Sequence, residues 1–198
     1  MSELSIGLLL VGFGYGLGAI PFGVFIGRRK GIDVRATGSG NSGAANVART
    51  VGKAAGLFVL ILDAGKGAVP ILAWRFIVEP QPDGWWLMTV GMSPIIGHCF
   101  SPWLRFGGGK GVATAFGVFL ALDPLSAAVA FCSFAITYAM FRLASIASIT
   151  AAASIPAYFA IRGTSPMIIA LGSAAFILIA IRHHANLRRL LTQNELHI

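Results

Sequence analysis

The chain has 198 residues, of which 56% are hydrophobic and 11% charged, and a mean hydropathy of +0.79. It is too apolar for an ordinary soluble domain and long enough for several membrane spans. The formal charge of +8 does not point to nucleic acid, because the basic residues sit in short segments between apolar runs and form no stripe with interleaved aromatics.

Stretches of about 20 largely apolar residues, or fewer where neighbours bury the ends, read as membrane helices. Seven occur, at 4–27, 54–74, 86–99, 111–122, 125–141, 145–161 and 166–181, the third and fourth being short. They predict an all-α integral membrane protein, a seven-transmembrane-helix bundle with some short or broken helices. The first carries Glu3 and no basic residue ahead of it, and Arg28, Arg29 and Lys30 follow it, so it reads as a retained span and not a cleaved signal. Its Gly12, Gly14, Gly16, Gly18 and Pro21 permit close packing or a kink. No internal repeat is visible, and residues 1–198 read as one membrane-embedded domain.

Seven spans put the termini on opposite sides, and the basic residues choose which. The segment 28–53, the segment 99–110, Arg142 and the tail hold most of them, whereas the other side has Arg75 and Arg162 with Glu3, Glu79, Asp83 and Asp123. The expectation is an outside N-terminus, a cytoplasmic C-terminus and all polar motifs on the cytoplasmic face.

The first motif runs from Gly38 to Arg49, GSGNSGAANVAR. It fits G-x-G-x-x-G, but no strand precedes it and no βαβ unit follows, which excludes the dinucleotide fingerprint. Its glycines, Gly40 among them, let consecutive N–H groups face an anion; Ser39 and Asn41 add donors, and Arg49 offers a planar fork matched to phosphate.

Within the second span Asp63 and Lys66 stand three apart, and charges at that depth must pair or face a polar cavity. The next motif is Gly97-His98-Cys99-Phe100, then Gly107-Gly108-Gly109-Lys110-Gly111. Gly111 stands where a P-loop needs Ser or Thr. What remains is a turn, Gly108 and Gly109, presenting Lys110 at a helix start; alone this reads equally as a phosphate grip or a snorkelling lysine. His98 has no acidic neighbour in sequence and reads as structural. Ser145 and Ser148 open the sixth span at a depth from which either could reach the same cavity.

The last motif, Arg182 to Arg189, closes the seventh span. On a continuing helix His183 and Asn186 share a face and His184 points about 100° away, so a chemical role falls to His183. Arg188 and Arg189 suit lipid headgroups. Cys99 and Cys132 lack the spacing of a disulfide framework or zinc site, and no metal site is indicated. The expected cytoplasmic side holds only Asp33 and Glu195 as acids, which disfavours a magnesium-dependent phosphotransferase. Trp103, Arg188 and Arg189 occupy the places that a His-x4-Asp acyltransferase pair would need filled by aspartate.

In order along nearly the whole chain, I-P-F-G, G-I-D, G-S-G-N-x-G-A-x-N-V-x-R, D-x-x-K-G, G-H-x-F, G-G-K-G-V-A-T and H-x-x-N resemble the bacterial membrane glycerol-3-phosphate acyltransferases that use acyl phosphate, the PlsY type. The resemblance implies transfer of a fatty acyl group from acyl phosphate to the 1-hydroxyl of glycerol 3-phosphate, giving lysophosphatidic acid and phosphate at the bacterial inner membrane. It implies Ser39, Arg49, Lys110, His183 and Asn186 as functional residues, with Ser148 as a further phosphate contact. The implied partners are glycerol 3-phosphate, long-chain acyl phosphate, membrane lipids and a soluble acyl-phosphate synthase that hands over the donor; no cofactor is implied. Ala45 replaces a usual threonine, Pro102 stands one place late, and Gly107 replaces a usual basic residue for which Arg105 is the candidate substitute. The acyl chain is expected among the spans, with His183 or the donor's own phosphate as base. The competing reading is a transporter of a phosphorylated metabolite, against which stand the missing repeat and the one-sided motifs.

Overall fold

The computed structural model describes residues 2–78 and 84–192, and every regular element among them is helical. In chain order these are α1 (Glu3–Gly18), α2 (Phe22–Arg29), α3 (Ala44–Thr50), α4 (Lys53–Ile77), α5 (Trp85–Cys99), a 3-10 turn at Pro102–Leu104, α6 (Val112–Leu122), α7 (Pro124–Phe141), α8 (Ala144–Ile161), α9 (Pro166–Arg182) and α10 (His184–Leu191). Glu79, Asp83 and Glu195, used above to weigh charge across the membrane, lie outside the described residues.

Helix covers each of the seven apolar segments. Among the described residues, length and hydropathy alone qualify four stretches to cross a bilayer, Glu3–Arg29, Lys53–Ile77, Pro124–Phe141 and Ala144–Ile161, and a fifth if α9 and α10 form one bent span. The eleven residues of α6 rise only about 16 Å, against a hydrocarbon core about 30 Å thick.

The first segment is not continuous. It breaks between Gly18 and Phe22, where Pro21 lacks the N–H a helix would use. The opened carbonyls find donors elsewhere: Ser101 Oγ donates to Ala19 O at 2.6 Å and Lys66 Nζ to Ile20 O at 3.0 Å. Among its glycines, Gly14 and Gly18 press on α5 whereas Gly12 and Gly16 meet open space; a Cβ on Gly18 would fall 2.2 Å from Pro94 O.

α4 and α6 cross just as closely, since a Cβ on Gly117 would lie 1.8 Å from Ala64 O. The corner from α6 into α7 follows from Asp123-Pro124: the Asp123 carboxylate accepts Leu125 N–H at 3.2 Å, and proline takes the first helical position. Arg75 Nη1 reaches the same corner, donating to Ala121 O at 2.9 Å.

The main core joins Ile71 and Trp74 of α4, Val90 of α5, Phe119 of α6, Phe159 of α8 and Leu171 of α9. A second, smaller core of Val24, Val34, Val47, Val59 and Leu104 lies under the segment expected to be loop. That segment contains α3, which the sequence reading did not predict. Its apolar face is little more than Val47, too short a pattern to stand out, and it is stabilised by docking on α4.

Candidate functional site

The segment ahead of α3 is held by one amide. Asn46, 2% exposed, accepts Ser39 N–H on Oδ1 at 2.8 Å and donates through Nδ2 to Val34 O at 2.8 Å and Thr37 O at 3.1 Å. Gly38 turns the chain above it at φ 59°, with its α-carbon against that side chain. Asn41 Oδ1 accepts Gly43 N–H at 2.8 Å, setting the entry to α3. From α3, Arg49 Nη1 reaches Asn46 Oδ1 at 3.5 Å. The segment is therefore closed by its own hydrogen bonds.

The Gly108-Gly109 turn is bound to the end of α5. Its N–H groups do not face an anion: Gly108 N donates to Cys99 O at 3.1 Å and Gly109 N to His98 O at 2.9 Å, filling carbonyls left open at the end of α5. Arg182 completes the clamp, Nη2 donating to Gly108 O at 2.8 Å and Nε to Gly109 O at 3.1 Å. Gly40 N likewise donates to Thr37 O at 3.0 Å. These three glycines shape the site, and none of them lines its cavity.

Between these pieces lies a cavity of about 170 Å³ into which Ser39, Arg49, Lys110, Ser148, His183 and Asn186 all open. Asn41 lines it too. Lys110 Nζ donates to Asn186 Oδ1, joining the α6 entry to α10. Ser148 Oγ donates to Ala144 O at 2.7 Å, so its proton is committed within α8 and its lone pairs face outward.

The helix expected to continue through His183 does not; α9 and α10 meet there at 51°. The expected facing nevertheless holds, because Asn186 N still donates to His183 O at 2.9 Å across the bend. His183 is 2% and Asn186 6% exposed, whereas His184 is exposed. His183 Nδ1 stands 2.8 Å from Ile179 O. A carbonyl can only accept, so Nδ1 carries the proton and the neutral ring keeps its lone pair on Nε2.

Four residues passed over as site candidates belong here. Asn46, Asp63, His98 and Arg189 all line the cavity. Arg189, expected with Arg188 to meet lipid headgroups, lines the cavity, because the spacing of three that pairs His183 with Asn186 also carries Arg189. Asp63 and Lys66 do pair, Nζ to Oδ1 at 2.7 Å though out of hydrogen-bonding alignment, and both are buried. His98 finds there the acid it lacks in sequence, its Nδ1 3.7 Å from Asp63 Oδ1. Arg105, expected to replace a basic side chain at 107, is exposed and does not line the cavity. Arg35 stands closer, since a Cβ on Gly107 would be 3.7 Å from its Nη2.

A second cavity, about 260 Å³ and almost wholly apolar, adjoins the first and shares Leu60, Val112, Ala113 and Phe134 with it. It runs among α6, α7, α8 and α9 past Phe119, Ala130, Ala151 and Ile179.

Fold and site together define an integral membrane protein with a cation-rich polar cavity opening into an apolar one. Residues 8–193 match the family described as glycerol-3-phosphate acyltransferase. Relatives of that name include one from Anaeromyxobacter dehalogenans, 44% identical over 98% of both chains, and one from Geobacter sulfurreducens, 40% identical over 92% of this chain and 93% of its own. Crystal structures of PlsY (YgiH), an integral membrane glycerol 3-phosphate acyltransferase, superpose with TM-scores of 0.92 for the glycerol 3-phosphate form and 0.90 for the lysophosphatidic acid form. Both are 38% identical and cover 97% of this chain and 95% of their own. The chain belongs to the glycerol-3-phosphate acyltransferase family.

Proposed function

We propose that the protein moves a fatty acyl group from acyl phosphate to the 1-hydroxyl of glycerol 3-phosphate. The observation that carries this reading is the meeting of Ser39, Arg49, Lys110, Ser148, His183 and Asn186 on one cavity that continues into an apolar one. Two phosphorylated substrates need a cationic polar chamber, and a long acyl chain needs a dry one beside it. Relatives named as acyltransferases leave the transporter reading without support.

Arg49 and Lys110 hold phosphate groups, and Ser39, Asn41, Ser148 and Asn186 orient glycerol 3-phosphate and the developing oxyanion. Gly40, Gly108 and Gly109 contribute by shaping the two turns. The hydroxyl oxygen attacks the acyl carbonyl carbon, the bond from that carbon to the phosphate oxygen breaks, and lysophosphatidic acid and inorganic phosphate leave. An acyl phosphate is already activated, so one direct step suffices, without a covalent enzyme intermediate or a metal. The hydroxyl proton goes to His183 Nε2 or to the departing phosphate; the contact of His183 Nδ1 with Ile179 O favours the first.

The whole chain, residues 1–198, acts as one membrane-embedded domain with seven spans. α1 with α2 makes the first, and α5 and α6 cross as short helices sheltered by their neighbours. The distribution of Lys and Arg supports an outside N-terminus and a site facing the cytoplasm of a bacterial inner membrane. A soluble acyl-phosphate synthase supplies the donor at that face.

The test is purified protein in lipid with labelled glycerol 3-phosphate and, in separate reactions, acyl phosphate, acyl-CoA or acyl carrier protein. Lysophosphatidic acid is expected with acyl phosphate, and its absence there sinks the assignment.

A further inference from the structure

Two buried ionisable side chains at the cavity, Asp63 at 2% and His98 at 8% exposure, take no part in the chemistry proposed above. They form a chain of contacts that begins at the break in the first span. Lys66 Nζ donates to Ile20 O at 3.0 Å, stands 5.5 Å from the Phe22 ring centre and pairs with Asp63. Asp63 Oδ1 in turn lies 3.7 Å from His98 Nδ1, which braces one edge of the imidazole.

The opposite edge meets Gly109. A Cβ there would lie 2.0 Å from His98 Nε2, 2.7 Å from Cε1 and 2.8 Å from Cδ2, so the ring rests directly on the glycine. The main chain closes the same contact through Gly109 N–H and His98 O, and Arg182 holds the turn by its carbonyls. Gly109 is thus gripped between α5 and α9, and the next residue is the one that reaches Asn186.

We propose that His98, braced by the Asp63–Lys66 pair, is a positioning residue: its ring sets the seat of Gly109 and thereby the reach of Lys110 into the cavity. The inference rests on the function proposed above, because it takes Lys110 as the group that grips a phosphate. Removing the ring leaves a gap into which the turn sinks, and adding a methyl at 109 lifts the turn off its seat. Either change moves Lys110 without touching it.

The test uses the full chain in lipid nanodiscs, with KM for acyl phosphate and for glycerol 3-phosphate, kcat and melting temperature read together. Gly109→Ala is expected to raise one of the two KM values by about tenfold or more. Adding His98→Ala frees the space the methyl needs, and the double variant returns to within about threefold of His98→Ala alone. Gly108→Ala is the control. Its Cβ would lie 2.1 Å from His98 O and 2.9 Å from Cys99 O, backbone atoms that His98→Ala leaves in place, so no rescue is expected.

A double variant whose KM rises by the product of the two single changes, or equal rescue at 108 and 109, overturns the proposal. Should the glycine variants fail to fold, His98→Ala alone decides. A KM raised about tenfold in folded protein supports the positioning role, and an unchanged KM with kcat falling only in step with the folded fraction overturns it. Failure of the functional reading is distinct, since then the unaltered chain makes no lysophosphatidic acid and both proposals fall together.

Discussion

Asn46 and Ser39 are joined by a 2.8 Å hydrogen bond in which a buried side-chain oxygen accepts a backbone N–H. Because the same amide donates to Val34 O and Thr37 O, three separate points of the chain hang on one residue. Asn46→Leu keeps the bulk and removes every bond. Each backbone group left unpaired costs on the order of 1–3 kcal/mol, so the segment carrying Ser39 loosens. Turnover is expected to fall by about a hundredfold or more, with a lowered melting temperature. Activity within twofold of the unaltered chain would contradict the role given to this amide.

His183 and His184 are adjacent in sequence and opposite in surroundings, one buried at the cavity and one exposed. His183→Ala and Lys110→Ala are expected to abolish turnover in folded protein, and His184→Ala to keep most of it. Equal damage from the two histidine changes counts against the facing across the bend.

Lys110 and Asn186 bond to each other directly, so their contributions are shared. The variant lacking both side chains is expected to be far less damaged than the two single losses multiplied together. A double-mutant cycle on the dissociation constant for glycerol 3-phosphate, which needs no turnover, measures this, and strict multiplicativity would mean that the two act independently.

Arg182 donates to two consecutive carbonyls with two nitrogens of one plane. Lysine keeps the charge but cannot present that fork. Arg182→Lys and Arg182→Ala are therefore expected to lose activity alike, by about tenfold or more. Near-full activity in the lysine variant would show that charge alone suffices.

The apolar cavity sets a limit on the donor. Ala151 lines it from α8 and is 8% exposed, so Ala151→Phe fills part of the space. Preference should move toward shorter acyl phosphates, read as the ratio of kcat/KM values across chain lengths. A uniform loss at every length would place the acyl chain elsewhere.

The apolar helices were legible because burial in lipid demands long apolar runs, and that demand is written locally in each segment. The bend at His183 was not, yet the pairing of His183 with Asn186 survived it, because a one-residue junction leaves the hydrogen-bonding distance along the chain unchanged. α3 escaped notice because only Val47 marks its buried side. Asp63 with His98, and Arg182 with the glycine turn, were invisible for another reason: each contact joins distant segments, and spacing along one helix says nothing about the neighbour across the bundle. The bonds of the Gly108 and Gly109 N–H groups are hidden on the same ground. Only the end of α5, with carbonyls to fill, takes up Gly108 and Gly109 N–H.

Lys66 carries a consequence for how the chain enters its membrane. The break at Pro21 leaves Ala19 O without a donor from its own span and Ile20 O with only the Phe22 N–H at 3.2 Å, and their further donors, Ser101 and Lys66, belong to segments synthesised later. A first span released alone into hydrocarbon would expose Ala19 O bare and leave Ile20 O with that one turn bond. It is completed when α4 arrives with Lys66, itself a charge that hydrocarbon rejects until Asp63 and Ile20 receive it. Each of the two segments thus cancels the other's defect, which favours their leaving the translocation machinery as a hairpin.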